Sequence, residues 1–518
     1  MRPPCDAALM QSSGGIQCSA KAQRWILAAT ILGSSMAFID STVVNVALPA
    51  LQSSLHANIV DVQWVVESYG LFLGALILAG GSFGDVFGRR LMFVLGVVLF
   101  AIASAGCGLA YSIHQLIIAR SIQGVGAAFL VPGSLAIISA SFEKTIRGQA
   151  IGTWSGFTAI TTAIGPLLGG WLIQHASWRW VFFINLPLAA LVIALSFWHI
   201  PESRSIAARR IDWLGAPVGT ISLGGMVFGF VESTNLGWRN PLVFGSLIVG
   251  ITGVVTFVFV ESKIGSPMVP LALFRSRIFS GANLLTLFLY SALGIFFFLF
   301  PLDLIQVQEY SAFATGAAVL PLILLMFALS RWSGGLVGRY GPRGPLIIGP
   351  IIAAAGFILF ALTSTGSSYW KAFFPAMVVL GFGMAVTVAP LTTVVMSSVD
   401  QDHAGTASGI NNAVARIASV LAIAVLGVMM VKAFDLKLTH ELAKLRLPSD
   451  VLREIQSRAT RLAGMELPRN LDPRTAAAIR STINHGFIFG FRLIMLTCSG
   501  LAAASSAVAC LFRRSVTA

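Results

Sequence analysis

Apolar runs of about twenty residues recur along nearly the whole 518-residue chain, and they constrain its fold more than any other feature. Each is long enough to cross ~30 Å of hydrocarbon as a helix rising ~1.5 Å per residue. About fourteen are present, near 25–48, 64–83, 91–111, 115–140, 149–174, 179–200, 213–233, 242–260, 279–302, 313–338, 345–364, 370–397, 406–432 and 485–511. Charged residues make up 10% of the chain and hydrophobic types 56%, against about 25% charged in soluble domains. So little charge cannot coat a water-facing surface of this size. The expected fold class is an all-α integral membrane protein.

The net charge of +14 does not point to nucleic acid, because the basic residues gather in alternate short loops, as membrane topology requires. With the N-terminus in the cytoplasm, the inner tails and loops hold Arg2, Lys21, Arg24, Arg89, Arg90, Lys144, Arg147, Arg204, Arg209, Arg210, Lys263, Arg275, Arg277, Arg339, Arg343, Arg513 and Arg514. The short outer loops hold only Arg179, Arg239 and Lys371. That asymmetry predicts both termini inside. One long connection, 433–484, falls outside and is expected to be a folded cap without chemistry. In it Ser449 and Asp472 read as N-caps and Pro473 as a first helical residue. The N-terminal tail has no apolar core segment, so a cleaved signal peptide is not expected. Cys5, Cys18, Cys107, Cys498 and Cys510 give no disulfide framework.

The chain also repeats itself. GSFGDVFGRR (81–90) follows span two, and GGLVGRYGPR (334–343) follows span ten. Aligning Gly88 with Gly341 aligns Gly81 with Gly334 and Arg90 with Arg343, while Gly338 stands where the first copy has Asp85. The copies lie eight spans apart, so the halves hold six spans each with two more between them. The expected segments are a tail (1–24), a six-helix bundle (25–200), two inserted helices with linkers (201–278), a second bundle including the outer loop (279–512) and a tail (513–518). Parallel repeats of this kind are a transporter architecture, with a substrate site at the repeat interface.

These stretches resemble a known family. GSFGDVFGRR looks like the loop signature of the major facilitator superfamily, LIIARSIQGVGAA (116–128) is similar to its span-four arginine motif, and AIGPLLGGWL (163–172) to its antiporter motif. IDSTVVNVALP (39–49) resembles the span-one signature of the fourteen-helix drug:proton antiporters of the EmrB/QacA type. SWRWVFFINLP (177–187) and HAGTASGINNAVAR (403–416) fit the same group. The resemblance implies two six-helix bundles rocking about a central cavity. It implies export of amphipathic, cationic drugs in exchange for protons across a bacterial inner membrane. No cofactor is expected beyond the proton gradient. The expected partners are a small amphipathic substrate and the lipid bilayer, with a periplasmic adaptor protein left open and a monomer as the working unit. Export of an endogenous metabolite, lipid or peptide is the alternative.

Three charges interrupt the apolar runs of the first half, and intramembrane charge is expensive enough that each marks a functional position. Counting from the outer helix ends, Asp40 lies ~13 Å deep, Glu67 ~6 Å and Arg120 ~9 Å. Sequence does not fix their azimuths. Burial raises a carboxyl's pKa and a nearby arginine lowers it, so a shared cavity would make a proton-binding site that a cation can compete for. The alternatives are that Asp40 bonds Ser41, Thr42 or Asn45, that Glu67 faces an outer vestibule, and that Arg120 bonds backbone carbonyls. The resemblance assigns Asp40 and Arg120 to proton coupling, with Glu67 joining them in exporters of cations. Glu67, Asp40, Asn45 and Tyr69 are the substrate-binding candidates. Gly81, Asp85, Gly88, Arg89 and Arg90 would form a gate, with Asp85 pairing an arginine or capping the next helix. Gly165, Pro166, Gly169 and Gly170 would let helices slide. Glu232 and Arg331 are expected to snorkel. No HExxH, P-loop or metal-spaced His/Cys set supports an enzyme.

Overall fold

The computed structural model describes residues 20–142, 144–204, 212–265, 267–399, 404–445, 447–468 and 471–510. Arg2, Cys5, Cys18, Arg209, Arg210, His403, Arg513 and Arg514 lie outside the described residues, as does the side chain of Arg331. Every element among the described residues is helical, because hydrocarbon offers no partner to an open backbone amide or carbonyl. The chain begins with α1 (Ala20–Ser54), α2 (Ile59–Phe87), α3 (Arg89–Leu109), α4 (Ile113–Ser141) and α5 (Lys144–His175). The short α6 (Trp180–Phe183), then α7 (Asn185–His199), precede the inserted helices α8 (Gly215–Leu236) and α9 (Pro241–Lys263). Next come α10 (Arg277–Leu302), α11 (Ala312–Ala318), α12 (Leu320–Gly334), α13 (Leu336–Tyr340) and α14 (Arg343–Ala361). The last are α15 (Phe374–Ser397), α16 (Ala404–Leu442), α17 (Ser449–Ser457) and α18 (Pro473–Cys510).

Thirteen helical stretches among the described residues are long and apolar enough to cross a membrane. Helix α5, 32 residues long and diluted by Gly, Ser and Thr, is a further long helix at an expected span. The breaks after α6, α11 and α12 fall inside expected spans six and ten. Ile184, Val319 and Gly335 there keep right-handed helical angles, so the path continues. The outer connection is shorter than expected, because α16 runs on to Leu442 and α18 starts at Pro473. Asp472 caps α18 by accepting the Arg474 and Thr475 amides at 3.0 Å each. A bond from the Thr475 side chain, then these amides, lowers its pKa. Ser449 is not a cap. It is the first residue of α17, and Pro448 holds the N-cap position.

Contacts group the chain into two units. The first runs to Val44 and takes in Ser68–Gly224 and Gly250–Leu271. Within it α3 packs on α4 and α7 around the buried rings of Phe93, Phe100 and Phe182. The second holds Asn45–Glu67, Gly225–Val249 and the chain from Ala272 on. There α14 packs on α15 and α18, α10 packs on α16 and α18, and the Phe296, Phe300 and Phe360 rings cluster together, the first two stacked. The far ends of α1 and α2 belong to this second unit. The Gln52 amide donates to the Arg461 carbonyl at 3.1 Å, Gln306 donates to the Gln52 carbonyl oxygen at 2.7 Å, and Gln63 donates to the Ile423 carbonyl at 3.3 Å. Glu232, near the end of α8, accepts the Trp64 indole N–H at 2.7 Å.

Candidate functional site

Asp40 on α1 and Arg120 on α4 meet inside the first unit, 0% and 1% exposed. The Arg120 guanidinium donates to Asp40 Oδ2 at 2.5 Å and to Gln123 Oε1 at 2.8 Å. Gln123 returns its amide to Asp40 Oδ1 at 2.9 Å, and Asn185 of α7 donates to the same oxygen at 3.4 Å. Asn185 also donates to Ser104 Oγ at 3.0 Å, whose hydroxyl donates to the Phe182 carbonyl at 2.8 Å. The Tyr69 ring lies 4.2 Å from the guanidinium carbon, a cation–π contact that a desolvated arginine favours. Both Asp40 oxygens therefore accept from donors on α4 and α7. Two of the alternative partners donate elsewhere: the Ser41 and Thr42 hydroxyls bond back to the Phe38 and Ile39 carbonyls.

Each helix supplies its part through ordinary spacing. Arg120 and Gln123 are three residues apart, hence on one face of α4. Ser112 fixes where that helix starts by accepting the Gln115 amide at 3.3 Å. Gln123 lies inside the arginine motif and Asn185 inside SWRWVFFINLP, yet neither stood out by sequence, because only charge is conspicuous in an apolar run. Glu67 belongs to the second unit and is 0% exposed. Neither of its oxygens has a hydrogen-bond partner among the described residues, so it is no vestibule residue in this conformation. Asn45 is half-buried, while Tyr69 is 3% exposed beneath Arg120. A further acid was missed. Asp303 opens a π-helical turn (Asp303–Val307) directly after α10, fully buried, with Oδ2 unpartnered among the described residues. The expected span stopped one residue short of it.

At the loop signature α2 ends on Phe87, and Gly88 turns the chain into α3 with φ +127°, a value only glycine adopts readily. Its aligned counterpart, Gly341, closes α13 with φ +71°. Asp85 takes one of its two open roles: it accepts from Arg89 at 2.8 and 2.9 Å. Capping falls to Glu202, which accepts the Arg90 and Leu91 amides at 3.0 and 3.1 Å and lies 3.8 Å from the Arg90 guanidinium. An acid at a helix N-terminus is favoured by unpaired amides and the helix dipole. In the antiporter motif, a Cβ on Gly165 would lie 2.1 Å from Thr42 Oγ1, and one on Gly169 2.2 Å from Val43 Cγ2. These two residues let α5 press against α1, and Pro166 sits within α5 without ending it. The Asp85–Arg89 pair is partly exposed, the acid side chain 42%, and is worth no more than about 1 kcal/mol. Asp85→Asn is accordingly expected to lower turnover by about fivefold with KM unchanged; unaltered turnover would remove the pair from any gating role.

A polytopic helical chain with a repeated loop and a buried ion pair inside its first unit is a secondary membrane transporter. Its sequence matches the Major Facilitator Superfamily over residues 30–423, and the chain belongs to that superfamily. It is 33% identical over 490 residues to the multidrug resistance protein Stp of Mycobacterium tuberculosis (strain CDC 1551 / Oshkosh), covering 92% of this chain and 89% of that one. It is 32% identical over 500 residues to the tetracenomycin C resistance and export protein of Streptomyces glaucescens, covering 94% and 91%. Among solved structures, a bacterial homolog to the human lysosomal transporter Spinster, in an inward-facing and unoccupied conformation, superposes with a TM-score of 0.65. That match has 16% identity and covers 95% of this chain and 98% of that one. The fold is the expected one: two six-helix bundles with two further membrane helices between them.

Proposed function

We propose that the protein is a proton-coupled antiporter that exports amphipathic, cationic drugs or toxic compounds by alternating access. Its place would be a bacterial inner membrane, with both termini cytoplasmic and a monomer as the working unit. The observation that carries this reading is the buried Asp40–Arg120 pair. Apolar residues of similar volume often replace such a pair without loss of stability, so packing alone gives no reason to keep it. The relatives' names add resistance to, and export of, drug-like compounds.

The residues support exchange by competition. Asp40 accepts from Arg120, Gln123 and Asn185 as a carboxylate. A proton arriving on Oδ2 displaces the Arg120 donor and frees the guanidinium to re-pair. Glu67 has no such donors, and a buried carboxylate without a partner is costly until it gains a proton or a cation. A cationic compound thus takes the place of a proton at Glu67. Helix α2 carries both Glu67 and Tyr69, which covers Arg120, and so links the two steps. Because Asp40, Glu67 and Tyr69 are all buried, substrate reaches them only after the helices rearrange.

Reconstituted vesicles test this. Uptake of a cationic compound into vesicles acidified inside should raise the internal pH in proportion to the amount taken up. Glu67→Gln should cut cation transport by about tenfold or more, a loss of ~1.4 kcal/mol, and leave neutral compounds within twofold. Uptake without proton movement overturns antiport, and an equal loss for neutral compounds overturns the role of Glu67.

A further inference from the structure

Within the second unit, α8, α16 and α18 enclose a groove of about 470 Å³ that the proposed transport cycle does not use. Its walls include Phe230 on α8, Trp238 just past its end, Val425 and Leu436 on α16, and Phe489 on α18. Phe489 is 45% exposed, so the groove opens sideways. Along α16 its lining runs from Val425 to Leu436, ~16 Å at ~1.5 Å per residue. That is the shape of a slot for an extended chain.

One lining group is not apolar. Lys432 is exposed, and its ammonium lies 5.4 Å from the Trp238 ring centroid. Among the described residues it makes no ion pair, not even with Asp435 three residues on. Trp238 follows directly on the end of α8, and tryptophan gathers at the membrane–water interface. A lysine there keeps its head in the polar layer. Lys432 lies four residues from the Leu436 end of the α16 lining and seven from the Val425 end, so the apolar wall below the cation descends ~10 Å into the bilayer. Arg239, next in the chain and exposed, adds to the positive charge of that loop.

We propose that this groove binds an anionic phospholipid, with its phosphate at Lys432 and one acyl chain along the apolar walls. An exported cation is a poor occupant, because Lys432 repels it. The site is read without any proton gradient, so it stands or falls apart from antiport. Purified full-length protein is equilibrated in bilayers of equal phosphatidylglycerol and phosphatidylcholine with identical acyl chains, and retained lipid is counted by native mass spectrometry. Wild type should retain phosphatidylglycerol about fivefold over phosphatidylcholine, the ratio that ~1 kcal/mol from one cation near the surface produces. Lys432→Gln should bring that ratio to about one, while Val425→Trp, which fills the deep end, should lose both lipids. Equal retention of the two lipids by wild type, or an unchanged preference in Lys432→Gln, overturns the proposal.

Discussion

Asp40→Asn should abolish gradient-driven export while the protein still inserts, and the reason lies in the donor count at its two oxygens. Asp40 accepts on both: Oδ2 from Arg120, and Oδ1 from Gln123 and Asn185. Asparagine offers one acceptor and places an N–H₂ at the other position. If that amide faces Arg120, two donors meet across a buried gap. If it faces Gln123, that residue must flip, which turns its own N–H₂ toward Arg120 and breaks the 2.8 Å bond it now accepts. Either way Arg120 loses its counter-charge. Removing one partner of a buried pair costs about 3–5 kcal/mol, of which asparagine recovers a part by hydrogen bonding. A net loss of about 2–3 kcal/mol lowers the folded-to-unfolded ratio by about a hundredfold. Gradient-driven export in vesicles should be lost altogether, because asparagine cannot take up and release a proton. Substrate-for-substrate counterflow, which needs no proton, should survive in the fraction that remains folded. Normal gradient-driven export by the variant would remove Asp40 from proton coupling. Equal loss of counterflow, with wild-type melting, would make it a substrate ligand instead.

The groups around Asp40 differ in how visible they are in the sequence. Asp40 and Arg120 could be named beforehand because a charge in an apolar run is conspicuous. Their contact could not, since depth along a helix follows from residue number while azimuth follows from packing. Gln123 and Asn185 complete the shell at separations of 83 and 145 residues, too far for any local pattern to link them to Asp40. Glu202 caps α3 from 112 residues away. It escaped notice because the Gly-rich loop already contained an acid in Asp85. The fold was more legible. Hydropathy marks a helix crossing almost independently of its neighbours, so thirteen of the expected spans are apolar helices here. The errors fall where helices outrun the hydrocarbon: α16 and α18 continue into the polar layer, and α10 runs on into the π turn that carries Asp303.

Gly80→Ala should be more damaging than Gly81→Ala or Gly84→Ala in the loop signature, although Gly80 lies just outside it. A Cβ there would sit 2.0 Å from the Ala128 carbonyl oxygen and 2.8 Å from its carbon, both backbone atoms of α4. No rotamer change relieves such a clash, so α2 and α4 must separate. Overpacking of this kind costs about 1–3 kcal/mol, against about 1 kcal/mol that alanine gains over glycine in helix propensity. The clash wins, and melting of the purified variant should fall by several degrees. Within the motif itself, a Cβ on Gly81 would meet Pro132 at 3.7 Å and one on Gly84 would meet Arg89 at 4.0 Å, ordinary contacts. Gly81→Ala and Gly84→Ala should therefore melt at or above the wild-type temperature. Turnover then decides why these two glycines are there. Slowed export at unchanged melting means that the helices close on them in another state of the cycle; unchanged export means that they serve neither packing nor motion. Wild-type melting of Gly80→Ala would show that α2 and α4 have room this structure does not display.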